Sequence, residues 1–290
     1  MYTVNDYLKE QYGTKVYKIA IDGGFTCPNR DGTLGTGGCI FCSGEGSGDF
    51  AEDRHLSVTE QIERGKARVA AKMPKDTGRY IAYFQAFTNT YAPVERLREL
   101  FTEAIACPDV VILSVATRPD CLPDDVIELL KELIRVKPVW VELGLQTIHE
   151  KTARYIRRGY PLPVYDEAVK KLRKAGIYTI THLILGLPGE SREEMLESVD
   201  YVGKSGVQGV KLQLLHVLAG TDLAAEYEAG RFAALTMEEY VSLAAECVQH
   251  LPEDICIHRL TGDGNRRTLI APLWSLDKKR VLNALHREMK

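Results

Sequence analysis

Short, almost uninterrupted apolar runs recur along this chain, separated by longer segments in which apolar positions return every three or four residues. The runs lie at residues 15–21, 80–84, 110–115, 139–143, 178–185 and 209–214. Runs of this kind predict strands buried on both faces, as in a parallel sheet. The segments between them, at about 94–106, 123–135, 149–158, 163–175 and 192–204, carry the helical period, as do 2–12, 222–229 and 237–250. Residues 58–73 read as an amphipathic helix introduced by Ser57 as N-cap. Six strands alternating with helices predict an α/β fold, a partial (β/α)6 TIM-like barrel. On this reading residues 1–14 form an N-terminal helix, 15–235 the barrel core with a loop at 22–55, and 236–290 a C-terminal extension packed on the barrel. The tail breaks the alternation: a short apolar stretch, Ile255-Cys-Ile257, then a polar segment from His258 to Arg267, then Trp274 and a basic final helix.

Composition changes little in this picture. The 290 residues, 45% hydrophobic and 27% charged, suit one large domain. No apolar run approaches the ~20 residues that cross a bilayer, so no membrane partner is expected. The N-terminus lacks a basic start with an apolar centre, which predicts a cytoplasmic, reducing setting in which cysteines are ligands or core residues. A net charge of −3 gives no general attraction to polyanions, although a local basic face is compatible with it.

In parallel barrels, ligands sit in the loops after the strands. The loop after the first strand reads Cys27-Pro-Asn-Arg-Asp-Gly-Thr-Leu-Gly-Thr-Gly-Gly-Cys39-Ile-Phe-Cys42, so three thiols can converge there. Cys107, Cys121, Cys247 and Cys256 are scattered singly, and no obvious fourth partner completes a closed zinc site. Three thiolates suit a four-iron, four-sulfur cluster with one open iron. A zinc site borrowing a distant ligand, a redox Cys-x-x-Cys pair and buried core thiols are the alternatives.

The spacing of Cys27, Cys39 and Cys42, with Phe41 before the last, resembles the radical S-adenosylmethionine superfamily. The long gap between the first two cysteines is similar to the subgroup containing the Elongator catalytic subunit. Thr117-Arg-Pro-Asp120, Glu142-Leu-Gly-Leu-Gln146, Arg157-Arg-Gly-Tyr160, Gly186-Leu-Pro-Gly-Glu190 and Leu218-Ala-Gly-Thr-Asp-Leu223 resemble that subgroup's rim motifs in the same order. Tyr83-Phe-Gln-Ala-Phe-Thr-Asn-Thr-Tyr91 and the tail resemble a bacterial family of single-domain radical S-adenosylmethionine proteins. Too little chain follows to house the Elongator subunit's acetyltransferase domain, so acyl transfer is not expected.

The resemblance implies a 4Fe-4S cluster held by Cys27, Cys39 and Cys42, with S-adenosyl-L-methionine on the open iron and an electron donor such as flavodoxin or ferredoxin. Reductive cleavage would give methionine and a 5'-deoxyadenosyl radical. Phe41 would lie near the adenine, and Gln85 and Thr88 occupy the place where the superfamily binds the methionine amine. Glu142 and Gln146 would reach the ribose or the methionine part, and Arg158 would grip the methionine carboxylate. Gly186, Pro188 and Gly189 would turn the backbone close to the adenine. Ser114, Thr117, His182 and Lys211 lie on or beyond barrel strands as candidates for cofactor or substrate contact, with His182 equally readable as a core histidine. Cys121 reads as a core thiol ahead of a substrate-side one. The expected reaction is modification of a transfer RNA base, with a wobble uridine as the analogous target. Radical chemistry on a small metabolite or tetrapyrrole is the second enzyme reading, and a zinc or iron-sulfur RNA-binding protein the non-enzymatic one.

Overall fold

The computed structural model describes residues 1–72, 78–262 and 264–289. Helix α1 (Val4–Tyr12) precedes β1 (Val16–Ile21), and β2 (Arg79–Phe84), β3 (Val110–Thr117), β4 (Val139–Gln146), β5 (Tyr178–Leu185) and β6 (Gly209–Leu214) follow in one parallel sheet, paired in chain order. Between them run α2 (Val58–Val69), α3 (Val94–Ala106), α4 (Asp124–Leu133), α5 (Glu150–Tyr155), α6 (Leu162–Lys174) and α7 (Arg192–Lys204). Ser57 caps α2, its hydroxyl accepting from the Glu60 N–H while the Glu60 carboxylate accepts from the Ser57 N–H. Met73, the expected end of that helix, lies outside the described residues, as do Asp263 of the polar tail and Lys290.

The tail does not break the alternation. After β7 (Val217–Leu218), α8 (Asp222–Glu228) and α9 (Met237–His250), the chain enters β8 (Cys256–Arg259), which pairs in parallel with β6 as a seventh strand. Only its first residues are apolar, because His258 and Arg259 line the interior cavity, so the strand does not register as an apolar run. The curled sheet is thus a half-barrel with β1 and β8 as its edges. The N-terminal segment ties to the β8 edge, where the Ile257 N–H donates to the Tyr2 carbonyl at 2.9 Å. A short antiparallel pair, β7 with β9 (Leu269–Ala271), and α10 (Lys278–Glu288) complete the chain.

The outer face of the sheet packs on the helices, burying Leu97, Phe101, Leu129, Val199 and Val202 fully. Each such side chain contributes about 1.5–3 kcal/mol on leaving water. The inner face follows the period of two in layers. Val16, Ile81, Ile112, Trp140 and Ile180, with Leu8 of α1, form an apolar plug at the amino ends of the strands. Two residues further along, Lys18, Tyr83, Ser114, Glu142, His182 and Lys211 make a polar layer. Above it come Ala20, Gln85, Ala116, Gly144, Ile184 and Gln213, and then the rim.

Candidate functional site

The loop carrying Cys27, Cys39 and Cys42 follows β1, where the apolar run ends at Asp22-Gly-Gly24. It is held to the rim by contacts from inside its own sequence. The Arg30 guanidinium donates to the Cys42 carbonyl at 2.9 Å and to that of Ser43 at 2.6 Å. The Asn29 amide donates to the Arg157 carbonyl at 2.7 Å and reaches Cys39 Sγ at 3.5 Å. Ile40, between the paired cysteines, is buried with Ile156, Ile184, Leu187 and Leu215, and its carbonyl accepts from the Leu223 N–H at 2.9 Å. Gly38 has φ +72°, and a Cβ there would stand 2.8 Å from Arg30 Nε, so both conformation and space require glycine.

The three thiols open onto one cavity of about 640 Å³, within the size range of cofactor sites. Among the described residues, no three His, Cys, Asp or Glu side chains gather closely enough to hold a single metal ion. The donor set suits a cluster, whose several metals need thiolates spread around one space. Asn29 offers an N–H to a sulfur, and Arg118 and Arg30 bring positive charge beside the thiols. Burial, with Cys42 adding, pushes the Cys39 thiol up to about 12, while Arg118 and Asn29 oppose it. Burial likewise raises Cys42, opposed by Arg30. Arg118 is fixed by a two-bonded fork to Asp120, at 2.9 and 2.7 Å.

Phe41, Gln85, Thr88, Glu142, Gln146 and Arg158 all line this cavity, but two of them are committed elsewhere. The Arg158 guanidinium is buried and donates to the carbonyls of Thr147 at 2.6 Å, Tyr160 at 3.0 Å and Leu145 at 3.3 Å, and to Glu150 at 3.1 Å. It clasps the end of β4 to α5. Glu142 is fully buried in the polar layer beneath the rim, where Lys18 at 2.7 Å, Ser114 and His182 at 2.8 Å, and Lys211 occupy its oxygens. Its carboxylate oxygens thus face donors of its own layer, while the residue still lines the cavity. Gly186, Pro188 and Gly189 do not line the cavity; Gly186 packs against Leu235, and its N–H lies 3.1 Å from Met195 Sδ.

Gln146 lines the cavity at the end of β4. It adopts φ 71°, at a register shift between β4 and β5, and its Oε1 is buried without a hydrogen-bond partner. A non-glycine residue there costs about 1–3 kcal/mol, and an unmet buried acceptor adds to it, which marks a position shaped for a ligand. The Gln85 amide donates to the Ser47 carbonyl at 2.6 Å, tying the second strand to the cysteine loop.

The polar layer contains residues the sequence reading missed. Lys18 and Tyr83 join Ser114, Glu142, His182 and Lys211, and His258 and Arg259 line the same space. Their signal was present: a lysine in the middle of an otherwise buried strand is rare without a partner. Burial opposes ionisation of Glu142, but Lys18 and Lys211, with His182, hold its carboxyl well below the usual range. Burial, then Lys211, lowers His182 to about 4 against the pull of Glu142. Thr117 lines the cavity with its hydroxyl 2.5 Å from that of Thr90. Cys121 instead borders a wider, mostly apolar groove on the outer side of the loop, and burial and Asp120 push its thiol up to about 12.

A parallel half-barrel with three loop thiols at its rim and a cofactor-sized interior is the build of enzymes that start radical reactions from an iron-sulfur cluster. The chain belongs to the radical SAM superfamily: residues 29–202 match that family and residues 207–290 the Radical_SAM C-terminal domain. It is an enzyme of that class, and its cofactors are a 4Fe-4S cluster and S-adenosylmethionine. It is 50% identical to YtqA of Bacillus subtilis over 100% of this chain and 89% of that protein. It is 25% identical to the tRNA uridine(34) acetyltransferase of Methanocaldococcus jannaschii over 53% of this chain and 28% of that protein. The solved structure of Elp3 from Methanocaldococcus infernus shares the fold, with a TM-score of 0.68 at 16% identity over 95% of this chain and 63% of that one. No helix among the described residues is long and apolar enough to cross a membrane.

Proposed function

We propose that this radical SAM enzyme modifies a base of transfer RNA, with a wobble uridine as the target. The observation that carries this reading is the likeness, across the barrel motifs, to sequences named tRNA uridine(34) acetyltransferase. Cys27, Cys39 and Cys42 would hold the cluster, and the chemistry supplied there with S-adenosylmethionine bound is reductive cleavage to methionine and a 5'-deoxyadenosyl radical. Asn29, Arg30 and Ile40 fix the three thiols against the rim. Gln146, with its unmet acceptor, and Phe41 would orient the cofactor, while Gln85 and Thr88 close its side of the cavity. The apolar plug and α1 exclude water from below. A small reduced redox protein, such as flavodoxin or ferredoxin, would deliver the electron.

Two measurements test this reading. Anaerobically reconstituted protein should be brown and should form 5'-deoxyadenosine when given dithionite and S-adenosylmethionine. Nucleosides in transfer RNA should differ between cells with and without the protein, at a modified uridine. Cofactor cleavage with an unchanged nucleoside profile would move the substrate to a small metabolite.

A further inference from the structure

The polar layer at the bottom of the cavity has more N–H donors than its own carboxylate can accept. Glu142 Oε1 accepts from Lys18 and Ser114, and Oε2 from His182 and Lys211, so all its acceptor positions are taken. An ammonium carries three N–H donors, and Glu142 takes one from each lysine. Lys211 makes one further contact, to the Tyr83 hydroxyl at 3.3 Å, and Lys18 lies over the Tyr83 ring at 4.7 Å. Two lysine amines thus share one buried carboxylate, to which the His182 ring donates as well. Charges removed from water call for a counter-charge.

Two further observations point to a ligand there. His258 is half-buried beside this layer, and its buried Nδ1 has no hydrogen-bond partner, while Nε2 meets the Tyr178 hydroxyl at 3.2 Å. Directly above, Ala20, Ala116 and Gly144 are small, which leaves an open path from the lysines to the thiol rim. We propose that Lys18 and Lys211, with Tyr83 and Arg259 beside them, form an oxyanion-binding floor that seats a carboxylate or phosphate group carried by the substrate. The acidic group anchors at the floor, and the molecule that carries it is small enough to lie between floor and rim, facing the cofactor, as in the small-metabolite reading. Burial depresses Lys211 well below the usual amine range, and an arriving anion would offset that effect.

The inference rests on the reading that this cavity is the substrate site, and its test needs no turnover. Cluster-loaded protein with S-adenosylmethionine bound is titrated anaerobically with sodium acetate and, separately, with inorganic phosphate at constant ionic strength, and the heat of binding is recorded. Saturable binding of acetate alone assigns a carboxylate group, of phosphate alone a phosphate group, and of both an oxyanion site open to either. In each case Lys18→Gln and Lys211→Met should weaken binding about tenfold or more, as loss of a charged hydrogen bond does. Glu142→Gln, which removes the competing carboxylate, should strengthen it. A purely structural ion-pair network would leave anion affinity unmoved. Absence of binding by both anions, or equal binding by wild type and Lys18→Gln, overturns the proposal. Either result leaves S-adenosylmethionine cleavage and the transfer RNA comparison to stand or fall on their own.

Discussion

The two ends of the cavity are built on opposite principles. At the rim, the thiols sit close together in sequence on a glycine-rich loop, and backbone carbonyls caught by Asn29 and Arg30 hold that loop in place. At the floor, no two members of the polar layer are near neighbours in sequence. Each comes from a different strand, and side chains bind directly to side chains around Glu142. The rim is therefore a local device that can be lengthened or altered without rebuilding the barrel. The floor depends on the register of six strands, and a change in one member leaves buried charge in its neighbours. On the proposed reading, the rim serves cofactor chemistry and the floor serves substrate selection.

Cys39→Ala should have the largest effect and should fall on the rim alone. Loss of one of three ligands should abolish both the brown chromophore and 5'-deoxyadenosine formation, while chemical denaturation remains near that of the wild type. Persisting cleavage would remove the cluster assignment. Glu142→Ala should do the reverse and strike stability first. It leaves the buried Lys211 and the half-buried Lys18 without their carboxylate, an expected loss of about 3 kcal/mol in denaturant unfolding. Wild-type stability would show that the floor is more open to water than its burial indicates.

A third measurement sharpens the contrast through pH. His182 is depressed from 6.5 to about 4, so the unfolded chain binds the proton more readily, and stability is fully present above about 6.5 and lost as pH falls toward 4. The expected loss is on the order of 3 kcal/mol, and His182→Gln should flatten that limb of the stability curve. Asn29→Ala should act more weakly, by about 1–2 kcal/mol, and should speed amide exchange in the cysteine loop while leaving the barrel strands unchanged. Thr236→Ala removes a helix cap that does not line the cavity. It should lower stability by about 1 kcal/mol and alter neither cofactor cleavage nor anion binding.

The alternating architecture was legible because its physical cause is local. Strands β5 and β6 and helices α3, α7 and α9 lie where the apolar periodicity puts them, since each must bury one face or both. Strand β8 escaped because its two interior residues are polar and its apolar part is too short to stand out. The cysteine loop was legible because its three ligands fall within one short segment. The partners of Arg158 were not legible, for a physical reason as well. A guanidinium looks the same in sequence whether it meets a ligand carboxylate or three backbone carbonyls, and only the bulged end of β4 decides between them.

The order of residues alone is enough to specify the strand-helix alternation, the rim loop and its three thiols, because hydrophobic period and close ligand spacing act over short stretches of chain. Only the folded sheet decides that Lys18, Tyr83, Ser114, Glu142, His182 and Lys211 share one layer. Their meeting depends on parallel register and curl, and those arise from contacts between residues far apart in the chain.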